Sequence, residues 1–259
     1  MTLSWYNLQA FAFDKPVQYK NLLVYPVTME NYFEFQILSQ SLLLEKNSTV
    51  EGISKTYLEY LCMLNNQGDE EQNLMKFDAL LRMCLKIKDL MIIYTPKNFT
   101  IYKTEEDYKQ HKDGDIYIFK DFDELRTLIC EQNDVEIPDE LINPDVRASM
   151  EKDKIFKIKQ SGTIPPSLED LVICIMASTS LKPNDIAELS IRKFGQLVQR
   201  IDAKLHYQIY LTSAMSGMVE FKDKSVLKHW MSGENKDKWK DAVEFETMKS
   251  KIAFDDKKK

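Results

Sequence analysis

The sequence predicts a mainly α, multi-helix protein with a small antiparallel β-containing insertion in the middle. Three observations carry this prediction. Apolar residues recur at three- and four-residue spacing through most of the chain, as one face of a helix requires. The 259 residues include only 7 glycines and 8 prolines, too few turn formers for an all-β plan. Between about 90 and 119 the period changes to short runs rich in β-formers, separated by turn chemistry. At 44% hydrophobic and 29% charged, the chain has an ordinary globular balance with enough apolar content for a core.

The first 25 residues are dense in aromatics (Trp5, Tyr6, Phe11, Phe13, Tyr19, Tyr25) but lack clean periodicity. They predict an extended arm or a short strand at Leu22–Tyr25, packed onto the body. Pro26 breaks that strand. Thr28 is placed to cap a helix from Met29 to about Leu44, whose face is Tyr32, Phe33, Phe35, Ile37, Leu38 and Leu42. A second helix spans Val50–Leu64 on Ile53, Tyr57, Leu58, Leu61 and Leu64. A polar loop with Gly68 follows. Leu74–Lys88 is a third helix, facing inward with Phe77, Leu80, Leu81, Cys84 and Leu85.

The β-forming runs are Leu90–Tyr94, Phe99–Tyr102 and Asp115–Phe119, a two- or three-stranded antiparallel sheet. A sheet that small needs a helix beneath it. Asp121–Gln132 supplies one, with Phe122, Leu125, Leu128 and Ile129. Asn133–Pro144 reads as a polar linker, and Pro144–Gln160 as a charged helix.

The segment Pro165–Gly217 is the most strongly patterned. Ser167 with Asp170 forms a capping signature. Leu168, Leu171, Val172, Ile175, Met176 and Thr179 make one face, and Ile173 and Cys174 suggest cover on a second. Pro183-Asn184-Asp185 opens a short helix. Ser190 caps the next, with Phe194, Leu197, Val198, Ile201 and Leu205 facing inward. Gly217 ends it. Val219-Glu220-Phe221 suggests a strand, followed by a helix-like piece with Leu227 and Trp230. The predicted organisation is an N-terminal arm and helical domain (1–89), a small α+β module (90–143), a C-terminal helical subdomain (144–231) and a charged, loosely ordered tail (232–259).

Chemistry is sparse. His111, His206 and His229 lack metal-ligand spacing, and His206 reads as a half-buried helix residue. Cys62, Cys84, Cys130 and Cys174 lie in apolar runs without a Cys-x-x-Cys pair, as buried reduced thiols do. No phosphate-binding glycine loop and no Gly-x-Ser-x-Gly elbow occurs. Glu105-Glu106-Asp107 reads as a solvated face. The expectation is no enzyme, no cofactor and no metal. No run approaches the roughly 20 apolar residues that cross a bilayer, so no membrane is expected. Asn184 to Phe194 has a helix-turn-helix flavour with Arg192, Lys193, Arg200 and Lys204 behind it. A net charge of -6 argues against a duplex-DNA reader, whose affinity comes from neutralising phosphates.

A resemblance adds to this reading. It rests on Leu22-Leu23-Val24-Tyr25-Pro26-Val27 followed by Tyr32-Phe33-Glu34-Phe35 near the start. Further on it rests on Pro165-Pro166-Ser167-Leu168-Glu169-Asp170-Leu171, Asp185-Ile186-Ala187-Glu188-Leu189-Ser190 and Arg200 to Tyr210. It closes on Ser216-Gly217-Met218-Val219-Glu220-Phe221-Lys222-Asp223-Lys224 and His229-Trp230. These stretches resemble tail-morphogenesis proteins of tailed bacteriophages and prophages of Gram-positive bacteria, their tail assembly chaperones above all. The resemblance implies a non-enzymatic protein of the host cytoplasm. Its partners would be the tape measure protein and the tail tube protein, with homo-oligomers left open. Alternatives are a virion component (connector or baseplate-associated) and a DNA-binding regulator. Tyr207, Tyr210, Met215, Met218 and Trp230 are the expected partner contacts, because aromatics and methionine are over-used at adaptable interfaces.

Overall fold

The computed structural model describes residues 5–48, 50–110, 114–140, 144–162, 164–217, 221 and 228–232. They fall into two compact units, Met1–Ile201 and Asp202–Lys259. The fold is mainly α with small antiparallel sheets, as predicted.

The N-terminal stretch is more structured than an extended arm. Helix α1 (Trp5–Ala12) is followed by the hairpin β1 (Val17–Tyr19) and β2 (Leu22–Val24). Asp14, at φ 53, turns the chain out of α1, and Lys20, at φ 49, makes the two-residue hairpin turn. Phe11, Val17, Leu22 and Val24 are buried, whereas Phe13 stays exposed.

The helix expected over 29–44 is broken into a 3₁₀ turn (Met29–Asn31), α2 (Tyr32–Leu38) and a second 3₁₀ turn (Ser39–Leu42). Thr28 makes no side-chain cap. Its backbone instead forms an antiparallel bridge with Ser190, flanked by Met29 N–H donating to Leu189 and Ile191 N–H donating to Val27. Ser39 and Ser41 hydroxyls bond back to the carbonyls of Gln36 and Leu38, which favours the tighter turn. Phe33 and Ile37 are exposed, while Phe35 and Leu42 are buried.

The expected helix 50–64 is likewise two, α3 (Val50–Ile53) and α4 (Tyr57–Asn66). Thr56 and Glu59 form a reciprocal capping box that restarts the helix. Val50 and Ile53 are left exposed. Helix α5 (Asn73–Leu85) buries all five predicted residues.

Strands β3 (Met91–Tyr94), β4 (Asn98–Tyr102) and β5 (Asp115–Ile118) form an antiparallel sheet in that order. A short helix not foreseen, α6 (Glu105–Lys109), lies between β4 and β5. Helix α7 (Phe119–Gln132) backs the sheet and buries Phe122, Leu125, Leu128 and Ile129 as predicted. The sheet's inner face joins the helical core. Phe122 lies 4.6 Å from Phe77, 5.8 Å from Phe99 and 6.1 Å from Tyr57 between ring centroids. Arg126 is buried among these groups. Its guanidinium sits 3.6 Å from the Tyr57 ring centroid and its Nε donates to the Leu42 carbonyl. The polar segment after α7 is held too. Asn133 is buried, and Val135 and Ile137 pack on the core.

Helix α8 (Pro144–Ser161) precedes the break at Gly162. Helix α9 (Leu168–Ser178) starts at the predicted Ser167–Asp170 capping box. It buries Ile175 but is covered on one side only, since Ile173 and Met176 are exposed. Cys174 is half-buried rather than buried. Helix α10 (Pro183–Glu188) leads to α11 (Ile191–Met215), capped by Ser190, whose hydroxyl accepts from Lys193 N–H. Phe194 is buried, and Leu197, Val198 and Ile201 pack beside it. Leu205, expected inside, is half exposed, because the buried stripe of α11 gives out beyond Ile201. Gly217 turns out of the helix at φ 68. The expected strand 219–221 has only Phe221 among the described residues. Leu227 and the tail from 233 lie outside them.

Candidate protein-interaction surface

The first unit carries a cleft of about 530 Å³. One wall is α2 and the 3₁₀ turn after it, presenting Tyr32, Phe35 and Leu43. A second is α9, with Leu168 and Leu171. The floor is the first half of α11, with Ile191, Phe194, Gly195 and Val198, and the turn at Asn133–Val135 closes one end. The local sequence explains each wall. Residues 32, 36, 39–40 and 43 recur at helical spacing, and 191, 195 and 198 share one face of α11. Gly195 leaves the floor low, since a Cβ placed there would meet nothing within 4 Å.

Several polar groups of this cleft are engaged within the protein. Asn133 Nδ2 donates to the Ile129 carbonyl and its Oδ1 accepts from Val27 N–H. Gln36 Nε2 donates to the Tyr32 hydroxyl, and Gln40 Nε2 to the Gln36 carbonyl. Among the described lining residues Asp134 is the one charged group. Nearby, burial raises the Glu131 carboxyl above its ordinary value. The arrangement can seat apolar side chains. The apolar surface runs out of the cleft onto exposed Phe33, whose ring makes an edge contact with Tyr32 at 5.5 Å.

The second unit contains the predicted contact residues. Tyr207 and Tyr210 lie on one face of α11, half-buried. Tyr207 packs on His229 at 5.1 Å, His229 on Trp230 at 5.9 Å, and Tyr210 on Phe221 at 5.7 Å. The structure thus links Tyr207 to Trp230 through His229, while Tyr210 makes a separate contact with Phe221. Met215 stands apart, 80% exposed. Met218 lies outside the described residues. The opposite face of α11 exposes Leu205 and Ile209 above a shallow groove that includes Thr212 and Ser216. The Thr212, Ser213 and Ser216 hydroxyls donate to carbonyls of their own helix turn, so that face presents little polarity. His206 is exposed rather than half-buried, with Nδ1 3.2 Å from the Asp202 carboxylate. An i, i+4 pair on a solvated helix explains this.

Part of the segment that would read DNA is occupied. Arg192 donates to the Glu131 carbonyl and lies 5.2 Å from the Phe11 ring. The Ser190 hydroxyl is bonded to Asp14, and Ile191 N–H to Val27. Ser190, Ile191 and Arg192 at the start of α11 therefore face protein. Among the described residues no group of three or more histidines, cysteines or acids is placed to hold a metal ion, and no helix is long and apolar enough to cross a membrane.

Helices α9 to α11 present both packed and open apolar faces. A family model described as the YomV second domain matches residues 157–235, which take in the end of α8, all of α9, α10 and α11 and the chain beyond. YomV is a Bacillus prophage gene, so this part of the chain is a phage-associated domain. No curated protein and no solved structure matches the chain.

The cleft was missed in the sequence because its walls come from three distant segments. The one local signal was Gly195, a lone glycine inside a strong helical pattern.

Proposed function

We propose that this protein is a non-enzymatic tail assembly chaperone of a tailed phage, working in the host cytoplasm. It holds the long, helical, aggregation-prone tape measure protein and helps bring tail tube subunits to it. The observation that carries this reading is the set of open apolar helix faces within and beside the phage-associated domain: the cleft over Gly195, and Leu205, Ile209 and Met215 on α11. Such faces suit a partner helix that inserts side chains at i, i+3, i+4 and i+7. The net charge of -6 keeps a loaded complex soluble.

Two measurements test it. Co-expression with the tape measure protein of the same phage is expected to move that partner from the pellet into the supernatant. The finished virion is expected to lack this chain. A partner that stays insoluble sinks the chaperone role. A stoichiometric copy number in purified particles makes the chain a virion component instead.

A further inference from the structure

Helix α8 stands almost bare. Arg147 ties its first turn to the body, donating to the Asp139 carbonyl and pairing with the Glu45 carboxylate. Beyond Arg147 every side chain described in the helix is exposed, Ile155 at 53% and Ile158 at 48%. A free helical run of this length is marginal in water. Ile155 and Ile158 share one face, and Lys152 and Lys159 stand beside them, three residues before and four after Ile155. Lys157 is paired with Asp153, but neither Lys152 nor Lys159 has an ion-pair partner among the described residues. Glu151 on the other flank of Ile155 speaks against a phosphate backbone as the occupant.

A matching surface lies on α9. That helix turns Ile175 inward, and its outward face carries Glu169, Ile173 and Met176, at i, i+4 and i+7. All three are exposed. Helix α9 contains no lysine or arginine. Asp170 is committed to the Ser167 cap, whereas the Glu169 carboxylate has no partner among the described residues. The two faces fit antiparallel. With Ile155 opposite Ile173, the equal rise of about 1.5 Å per residue on both helices brings Lys159 opposite Glu169 and Lys152 opposite Met176. Apolar side chains then meet at the centre and opposite charges at the edge.

The body holds the two helices of one chain with these faces uncovered. Arg147 pins the start of α8, and Ile175 seats α9 in the cluster with Met29 and Phe194. The connection between them contains Pro165-Pro166, which keeps the chain extended. A second copy offers the same two faces reciprocally, as a two-fold contact requires. We propose that two copies of this chain associate through α8. The face of Lys152, Ile155 and Lys159 on each copy lies antiparallel on the face of Glu169, Ile173 and Met176 of the other. This pairing is independent of the chaperone reading and of the cleft over Gly195.

The test uses the full chain. It is expected to sediment as a dimer at micromolar concentration. Ile155→Asp and Ile173→Asp, both at exposed positions, are expected to keep the wild-type melting midpoint and to weaken the dimer at least tenfold. Lys159→Glu and Glu169→Lys are each expected to weaken it, and the double variant to recover it. A second measurement reads the contact directly. In a Cys174→Ser background, chains carrying Ile155→Cys are mixed with chains carrying Ile173→Cys and oxidised, beside a chain carrying both substitutions. A disulfide-linked dimer of the two kinds of chain upholds the proposal. A disulfide that forms only inside the doubly substituted chain means that α8 closes on its own α9, which overturns it. A monomeric wild type, a dimer indifferent to I155D and I173D, a double charge variant that stays dissociated, or mixed chains that do not cross-link also overturns it.

Discussion

At the scale of single residues, the interior is held by a few groups with no substitute. The Tyr57 hydroxyl donates to the Ser41 carbonyl and accepts from Leu44 N–H, while Arg126 lies over its ring. Arg126→Ala leaves the Leu42 carbonyl and the ring face without a partner. We expect a loss of about 2–4 kcal/mol in urea denaturation. Gly114 is constrained from the other side. A Cβ would stand 2.7 Å from Thr100 Cγ2 and 2.8 Å from the Tyr102 ring, so Gly114→Ala is expected to cost about 1–3 kcal/mol by overpacking. Burial pushes the Cys84 and Cys130 thiols up to about 12. Unfolded, they ionise near 9, so between the two values the folded state holds more protons. Stability is therefore intact below pH 9 and falls as pH rises toward 12. Burial raises Tyr57 in the same direction. Urea midpoints measured at pH 7, 9.5 and 10.5 check the sign, and a rising midpoint contradicts it.

At the scale of elements, what the sequence discloses depends on how local the cause is. Helices α5 and α7 were readable because each is one amphipathic face, Phe77 to Leu85 and Phe122 to Ile129, buried as a unit. The start of α9 was readable because Ser167 and Asp170 cap each other three residues apart. The same device at Thr56 and Glu59 was passed over, since Ile53 and Tyr57 sit at helical spacing across it and hide the break. Thr56→Ala removes that box and is expected to cost about 1 kcal/mol, read as a lower melting midpoint. The failed cap at Thr28 had no local sign, because Ser190 holds its backbone from the other end of the unit. The candidate site divides the same way. Gly195 interrupts the helical pattern but was not singled out, and Tyr32, Leu43 and Val135 become neighbours of it only in the folded unit. The aromatic face of Tyr207 and Tyr210 was legible from spacing, but Ile209 and Leu205 on the opposite side were not picked out as the open face.

At the scale of the whole molecule, the phage-associated domain is not self-sufficient. Its core is four buried side chains, Met29, Ile175, Ile186 and Phe194, and the first lies far outside the matched residues 157–235. Tyr32 packs on the same cluster, and Ile191 touches both this cluster and the larger one. Residues 157–235 expressed alone are expected to show helical circular dichroism without a cooperative melt. Residues 1–235 are expected to melt in one step. A sharp transition in the short piece contradicts this. The bond between Ser190 and Asp14, and the bridge beside it at Thr28, also bear on how the protein is made. Chains emerge from ribosomes at about 5–20 residues per second, so the seat that Met29 and Thr28 prepare stands vacant for roughly ten to thirty seconds before its occupant is synthesised. During that interval the apolar side chains around Met29 are open to solvent and to other chains.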